Sequence, residues 1–571
     1  MTTINRRDFI KASLMGFGVV STTSLLSGCN NDDVNEQLSI NDFETYFNHG
    51  VASGDPLADR AILWTRVTPE GSPSSVLVSL DIATDADFNT IVIQEVLTAL
   101  ASSDYTLKLD AIGLEAGTRY YYRFKTNTAT SVTGQFSTLA VGALNQAKFA
   151  VVSCANYPAG HFNVYADIAV QTDLDAVIHL GDYIYEYGMG GYATDNAQEI
   201  GRSLAQDNEG ELFSLEDYRK RYAHYRTDNA LQALHQQLPF IAIWDDHEVA
   251  NDAHQQGAEN HNEGEGDFHT RKLAALQAYF EWMPIRPFVQ NETESLYRQF
   301  QFGDLLSLYM LDTRLEARSP QLEYSDYIDP VTGQIDQAGF IADLSNPNRA
   351  LLGTTQLSWL QSQIVQSEST WQVLGQQVLM TRMAIPAELL ASLASPSPMI
   401  AQQFQQLADL RVRQLSQDPS LTEFDLARIN TRAPYNLDAW DGYPIEREMI
   451  LATAKAYNKN LIVLAGDTHN AWAGDLTDSQ GDKVGFEFAT PSVSSPGLES
   501  YLSLDEPSAL AFEKGLNFLV DDLRFCNIRQ RGYMTLTFTK ELVNTQWVFV
   551  DNVLSNDYQV NTNQAGYRVK G

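Results

Sequence analysis

Four short polar clusters contain the side chains of this sequence that are best suited to bind metal ions. They are Ser153-Cys154-Ala155-Asn156, Gly181-Asp182-Tyr183-Ile184-Tyr185, Asp245-Asp246-His247-Glu248 and Gly466-Asp467-Thr468-His469. Carboxylates, imidazole, thiolate and phenolate are all metal ligands, and this mixture suits a hard trivalent or divalent ion. A pair of ions about 3.5–4 Å apart is a recurrent device for phosphoryl hydrolysis, because it polarises the phosphate and lowers the pKa of a bound water.

Each cluster follows an apolar run with the composition of a buried strand. These runs are residues 149–152, 176–180, 240–244 and 461–464. In α/β sheets, ligands bind beyond the carboxyl ends of the strands, so we expect the four clusters to converge on one crevice. One Asp-His pair would be weak evidence, whereas four clusters at four strand ends are hard to assign to chance.

The clusters differ in how directly they predict a ligand. Asp182 follows a buried strand and a glycine, and it is well placed to bridge two ions, with Tyr185 able to reach one of them. Adjacent side chains usually diverge, so we expect only one of Asp245 and Asp246 to face the metals, and we favour Asp246. Cys154 is predicted to be a ligand; the alternative is a buried structural thiol, the commoner fate of a lone cysteine.

The elements that position these clusters change character along the chain. Residues 46–140 show short β-strands with turn residues between them, which predicts a small all-β sandwich of immunoglobulin or fibronectin type. Residues 147–555 alternate apolar strands with helical segments, such as 214–238 and 267–282, which predicts an α/β catalytic domain. Two late strands, 533–538 and 545–550, are predicted to form a hairpin, and residues 556–571 a C-terminal tail.

The first 29 residues have the features of an export signal. Arg6-Arg7 and a charged start precede a short apolar run that ends at Ser27-Gly28-Cys29, as in a twin-arginine signal with a lipobox. We therefore expect contact with the twin-arginine export machinery, a lipidated Cys29 that contacts the membrane, and a flexible tether over 30–45. The alternative is ordinary cleavage nearby, with Cys29 incidental. The predicted location is periplasmic or at the cell surface.

Composition limits the remaining possibilities. A chain of 571 residues predicts two or more domains. The formal net charge of −34 repels nucleic acid, so a nucleic-acid-binding module is not expected. The sequence has three cysteines, Cys29, Cys154 and Cys526. So small and odd a number does not indicate a disulfide framework.

Longer motifs around the clusters resemble one known family. They read His-Gly-Val-Ala-Ser-Gly-Asp-Pro (49–56), Gly-Asp-Tyr-Ile-Tyr-Glu (181–186), Trp-Asp-Asp-His-Glu (244–248), Leu-Asp-Thr-Arg (311–314), Trp-Asp-Gly-Tyr (440–443) and Ala-Gly-Asp-Thr-His (465–469). Together they are similar to the PhoD-type alkaline phosphatases of the calcineurin-like metallophosphoesterase superfamily. The resemblance runs nearly the full length of the chain.

This resemblance implies a four-layer α/β/β/α fold that holds one iron(III) and calcium, with other divalent ions as alternatives. It implies that Cys154, Asp182 and Tyr185 hold the iron. Asp182, Asn251 and Asp467 are then expected on the calcium side, with Asp246 and His469 as further members; Asn156 is an additional candidate from its cluster. His247 is expected to stabilise or protonate the leaving group. Arg314 is a candidate for gripping phosphate, the alternative being a structural pair with Asp312.

The predicted function is that of an exported hydrolase of small phosphate esters, a phosphatase or phosphodiesterase that serves phosphorus acquisition. In this hypothesis, a metal-bound hydroxide attacks phosphorus in line. Alternatives are a phospholipase-like phosphodiesterase on the same fold and a non-catalytic cell-surface binding lipoprotein. A cysteine-nucleophile phosphatase is excluded, because no arginine ends the loop that follows Cys154.

Overall fold

The structure, a computed structural model, describes residues 43–286, 295–329, 331, 334–394, 399–563 and 569–570. The predicted signal, Cys29 and most of the tether lie outside this range, so the statements about them stay predictions. Within the described ranges, no helix combines the length and apolar character needed to cross a bilayer.

The larger of two central sheets has ten strands. Its order is Val560–Asn563, Leu542–Val550, Arg531–Phe538, Ala147–Val152, Ala176–His179, Phe240–Ala242, Val51–Gly54, Arg60–Arg66 and Thr106–Ile112, with Val569–Lys570 also on Leu542–Val550. The three strands from Ala147 to Ala242 are parallel, so their carboxyl ends share one edge. The predicted hairpin pairs antiparallel and extends this sheet, and part of the predicted tail adds a further strand.

The smaller central sheet has seven strands. Its order is Arg298–Phe302, Leu306–Met310, Trp371–Gly375, Asn460–Ala465, Lys483–Ala489, Ala471–Thr477 and Leu523–Asn527. The strands from the second to the fifth in this order are parallel. Successive side chains of a strand point to opposite faces. Leu308 and Ile462 accordingly enter a core shared with the larger sheet, whereas Tyr309 and Val463 enter a core shared with helices.

Helices cover the outer faces of the two sheets, which completes the four layers. They are Asn163–Ala169, Leu215–Tyr225, Asn229–Gln237, Phe268–Trp282, Gln337–Leu344, Gly353–Gln366, Glu388–Ala394, Ile400–Leu415, Glu423–Asn430, Pro444–Ala456, Leu498–Tyr501 and Glu506–Leu519. The expected helix over 214–238 is two helices, because the Asp228 side chain accepts the backbone N–H groups of Ala230 and Leu231 and starts a new helix.

The N-terminal region is a sandwich that shares one of its layers with the catalytic domain. Its outer layer has the order Ile91–Leu100, Ser75–Ala83, Arg119–Lys125 and Gly134–Ser137, and its inner layer is the end of the ten-stranded sheet. The junction is close: Gly54 pairs with Phe240, and a Cβ at Gly54 would lie 2.0 Å from the Pro284 carbonyl oxygen. The ten-stranded sheet is continuous across the predicted boundary between the two domains. Two small pairs, Thr45–Tyr46 with Thr68–Pro69 and Ala384–Pro386 with Arg432–Pro434, complete the strands.

Candidate active site

The four predicted clusters lie at the carboxyl ends of parallel strands from both central sheets. The Cys154 N–H donates to the Gly181 carbonyl at 3.2 Å, and the Val493 N–H donates to the Ser153 carbonyl at 3.0 Å, which joins loops of the two sheets. Glycine is needed where the loops touch, since a Cβ at Gly181 would lie 2.4 Å from Cβ of Asp245. The strand ends therefore form one compact edge.

Four of the predicted ligands have a left-handed backbone. The φ angles are 61° at Cys154, 56° at Asp182, 59° at Asp467 and 60° at His469. This region is uncommon for residues other than glycine, and such strain persists where surrounding structure enforces it, often at functional sites. The strand-end turns thus aim these side chains at a common point at a cost in backbone energy.

Side-chain donor atoms at this edge form three overlapping groups, each with all its atoms within 4.8 Å of one another. The groups are Cys154, Asp182 and His469; Asp182, Asp246 and His247; and Asp245, Asp246 and Asp467. Asp182 belongs to the first two groups and Asp246 to the last two. Shared carboxylates of this kind are suited to bridge neighbouring ions.

The electrostatics of the cluster fit a bound cation. Buried oxygens Oδ1 of Asp182, Oδ2 of Asp245 and Oδ1 of Asn156 have no hydrogen-bond partner within the described chain. Burial, together with the charge of Asp246, raises the pKa of Asp182 well above its usual value, although His247 opposes the shift. Burial likewise raises the pKa of Cys154 well above its usual value. A metal ion would reverse both effects by stabilising the carboxylate and the thiolate.

Tyr185 and His469 face the same part of the cluster. Tyr185 Oη donates to Asp182 Oδ2 at 2.9 Å, accepts from Ser495 Oγ at 2.7 Å, and lies 3.2 Å from His469 Nε2. His469 Nδ1 is 2.8 Å from the Pro496 carbonyl, which places the proton on Nδ1 and leaves Nε2 with a free lone pair. The phenol and the imidazole thus both present donor atoms beside Asp182 and Cys154.

The ring of His247 is oriented by a contact at Nδ1, which leaves Nε2 unoccupied by that partner. Its Nδ1 lies 2.7 Å from Oε2 of the fully buried Glu186, and its ring packs 4.2 Å from that of Tyr185. Burial opposes the imidazolium, but the charges of Asp246 and Glu186 outweigh it and raise the pKa of His247 well above its usual value. Nε2 is therefore the nitrogen left to meet a substrate.

Arg314 lies among three carboxylates. Its guanidinium is fully buried and donates to Asp245 Oδ1 at 2.5 Å, Asp438 Oδ1 at 2.8 Å and Asp467 Oδ1 at 2.7 Å, so each of its three nitrogens already binds a carboxylate, and its role in gripping phosphate stays a prediction. The alternative pair with Asp312 is not made by the guanidinium, because Asp312 accepts the backbone N–H of Arg314.

The structure modifies one other expectation for the site and leaves two untested. Both Asp245 and Asp246 face the cluster, because the strand-end turn brings the two carboxylates to one group with Asp467. Asn251 is partly buried; its N–H donates to Glu186 and its side-chain amide to Glu259. Asn156 is buried beside Cys154. The roles of Asn251 and Asn156 as ligands stay predictions.

Sequence reasoning missed three carboxylates that position the site. Glu248 accepts the backbone N–H groups of Asp182, Tyr183 and Asp245 at 3.0, 2.6 and 2.8 Å. Glu186 orients His247, and Asp438 binds Arg314. Glu186 ends the motif 181–186 and Glu248 ends the motif 244–248, so their positions could have indicated a role at the site. Asp438 lies outside the motifs, two residues before the one that begins at Trp440.

A cavity of about 350 Å³ opens beside the cluster. Its lining residues are Asp252, Gln321, Leu322, Glu323, Tyr324, Tyr435, Asn436, Leu437, Asp438 and Asp467. Every charged side chain in this lining is acidic. The charges of Asp438 and Asp467 in this lining are partly balanced by Arg314.

Comparisons with known proteins agree with this geometry. Residues 149–547 match the PhoD-like phosphatase family, and residues 34–140 match the N-terminal domain of the PhoD-like phosphatases. The chain is 33% identical to alkaline phosphatase D of Bacillus subtilis (strain 168) over 554 residues, which is 94% of this chain and 83% of that protein. It also matches the solved structure of PhoD with a TM-score of 0.72 and 30% identity, over 92% of each chain.

The fold and these matches define a phosphoric ester hydrolase with a metallophosphoesterase-like α/β core and an all-β N-terminal region. The chain belongs to the PhoD-like phosphatase family.

Proposed function

We propose that this phosphatase is metal-dependent and that its metal centre is the strand-end cluster. The proposal rests on three groups of donor atoms, and within each group the atoms lie within 4.8 Å of one another. Asp182 and Asp246 each belong to two of these groups. Isolated buried carboxylates at such spacing repel one another, and each costs free energy to desolvate. Bound cations remove both penalties.

The donor types favour different ions at the two ends of the cluster. Cys154, Tyr185 and His469 next to Asp182 offer thiolate, phenolate and imidazole, which suit iron(III). His469 was expected on the calcium side, but it shares a donor group with Cys154, so we assign it to the iron side. Asp245, Asp246 and Asp467 offer carboxylate oxygens only, which suit calcium, with Asn251 and Asn156 as further oxygen ligands. When bound, such ions neutralise the charge of the phosphate and activate the attacking water.

The protein's own residues supply the remaining functions. His247 carries a proton on Nε2 for the leaving oxygen, while Glu186 fixes the ring through Nδ1. The acidic lining of the cavity offers no side-chain cation to a substrate phosphate, which is the reason that phosphate binding depends on the metals and His247.

Substitution of Asp182 tests the proposal. Asp182→Asn should abolish turnover and metal retention together, because one side chain serves two donor groups. Asp81→Asn is the matched control: Asp81 is also fully buried, but it pairs with Arg123 and Lys125 in the N-terminal region. The control should keep both iron and calcium in elemental analysis. Full activity of Asp182→Asn on p-nitrophenyl phosphate would contradict the proposal.

We further propose export through the twin-arginine route and anchoring through lipidated Cys29, for phosphorus acquisition outside the cytoplasm. The motifs at Arg6-Arg7 and Cys29 support this. Arg6→Lys combined with Arg7→Lys should hold the protein in the cytoplasm, and Cys29→Ser should release it in soluble form. Unchanged fractionation of both variants would contradict the proposal.

The proposed substrates are small soluble phosphate monoesters and diesters. A comparison of p-nitrophenyl phosphate with bis(p-nitrophenyl) phosphate measures the preference between them. Phospholipid vesicles in the same assay test the phospholipase-like alternative, and faster turnover of the vesicle phospholipid than of either soluble ester would favour that alternative.

A further inference from the structure

We propose that Arg314 is a positioning residue, an internal counter-cation that holds the acidic cluster together when metals are absent. Its three donor nitrogens each reach a different carboxylate, on Asp245, Asp438 and Asp467. The side chain is fully buried. A guanidinium in this position acts on the substrate only through the carboxylates it holds.

The three carboxylates come from separate parts of the fold. Asp245 follows a strand of the ten-stranded sheet, Asp467 follows a strand of the seven-stranded sheet, and Asp438 precedes the short turn Trp440–Gly442. A guanidinium presents its donors in a rigid planar fork, so one side chain fixes the relative positions of all three. Arg314 thus ties the two sheets and the cavity wall to one point.

The backbone at Arg314 is also held in place by hydrogen bonds. Asp312 Oδ1 accepts the backbone N–H of Arg314 at 2.9 Å and that of Leu315 at 2.8 Å. Arg318 makes a second ion pair with Asp438, which keeps that carboxylate in place independently. The guanidinium therefore has little freedom to turn toward a ligand in the cavity.

The positive charge of Arg314 affects how strongly the cluster binds metal ions. Arg314 and bound cations are two sources of positive charge for the same buried carboxylates. Loss of Arg314 leaves the metal-free cluster unbalanced, while the added negative charge favours cation binding. This role presupposes the metal centre proposed above. By linkage, stabilisation by the metals should then be larger in a variant that lacks the guanidinium.

The experiment compares melting temperatures of Arg314→Gln and Arg314→Lys with chelator and after reloading with iron and calcium. Metal-free Arg314→Gln should melt lower than the wild type by roughly 3 °C, because a buried ion pair has lost one partner. After reloading with metals, the difference in melting temperature between Arg314→Gln and the wild type should be less than half as large. Arg314→Lys should restore only part of the lost melting temperature, since one ammonium cannot reach three carboxylates. The inhibition constant of inorganic phosphate should change little.

Arg447→Gln is the matched control, because Arg447 is also fully buried but donates to the Met380 and Thr477 carbonyls away from the cluster. It should melt lower by the same amount with and without metals. Equal losses in both states for Arg314→Gln, with at least tenfold weaker inhibition by phosphate, would overturn the counter-cation role and indicate a phosphate contact. A wild type that gains no stability from metals would overturn the metal centre as well as this role.

Discussion

Tyr185 Oη donates a 2.9 Å hydrogen bond to Oδ2 of Asp182, while Oδ1 of the same carboxylate is buried without a partner. The phenol and the carboxylate are three residues apart and lie at one strand end. The pair therefore offers three oxygens to one small space, and two of them are already oriented by each other. Replacement of either oxygen donor should therefore change the amount or the absorption spectrum of the metal ion proposed to bind there.

Tyr185→Phe should remove a ligand of the proposed iron. Loss of the phenolate should abolish a visible tyrosinate-to-iron absorption band and lower activity by about 10- to 100-fold or more, the range found even for outer-shell partners of metal sites. Tyr192→Phe is the control, because Tyr192 Oη lies 3.2 Å from His469 Nδ1 and not on Asp182. The control should keep the band. A band that survives Tyr185→Phe would rule out this ligand.

His247→Ala should lower kcat most for substrates with poor leaving groups. A positioned general acid contributes about 10²- to 10⁴-fold when the leaving oxygen is basic, and less when it is a nitrophenolate. His269→Ala, at an exposed position near the start of a helix, should have no effect on either substrate. The measurement is kcat for an alkyl phosphate and for p-nitrophenyl phosphate. Equal losses on both would argue against proton donation by His247.

Glu248→Ala should reduce metal retention as well as stability. It would leave the N–H groups of Asp182, Tyr183 and Asp245 without their acceptor, at a cost of about 1–3 kcal/mol for each buried group. Glu487→Ala is the matched control, because this buried carboxylate accepts the N–H groups of Met380 and Thr381 away from the cluster. Both variants should unfold at lower urea concentration, but only Glu248→Ala should lose bound metal.

Lys108 should make stability depend on pH above neutrality. Its Nζ donates to the Phe280 carbonyl in the junction between the N-terminal region and the catalytic domain. Burial lowers the pKa of Lys108 to about 7, although Asp55 and Glu281 oppose the shift. Between that value and the ordinary lysine pKa of 10.5, the unfolded chain binds more protons, so the free energy of unfolding should rise with pH.

Lys108→Met should remove this rise, as measured by urea unfolding at pH 7 and pH 9. Lys540→Met, which removes a half-exposed lysine paired with Asp304, should leave the slope unchanged. An identical slope in wild type and Lys108→Met would show that Lys108 is not the group responsible.

Gly54→Ala should weaken the junction between the two regions. An added Cβ would lie 2.0 Å from the Pro284 carbonyl oxygen and 2.8 Å from that of Phe240, so backbone must move and the shared sheet must open. We expect a loss of about 3 kcal/mol or more, as for overpacked sites at their worst. Gly210→Ala meets open space and should cost far less. Denaturation of both variants provides the comparison.

Local patterns predicted several strands and helices and the four clusters, because each depends on residues close together in the chain. The strand after which Asp182 lies is a run of apolar residues, and Asp267 begins the helix Phe268–Trp282 as expected. Local patterns did not predict the break at Asp228, where a side-chain cap competes with helix continuation. Nor did they predict that Gly54 joins the sheet of Phe240, because strand pairing joins distant residues.

The sequence by itself indicated the family and hydrolysis of phosphoric esters, because the motifs at the strand ends are properties of residues and their neighbours. Only the tertiary structure decided which carboxylates meet: it brought Asp245 and Asp246 to the same cluster and turned Arg314 onto Asp467 and Asp438. Charge balance in a buried site is a sum over groups from distant segments. No single segment contains that sum, which is the physical reason that the fold was needed to assign Arg314.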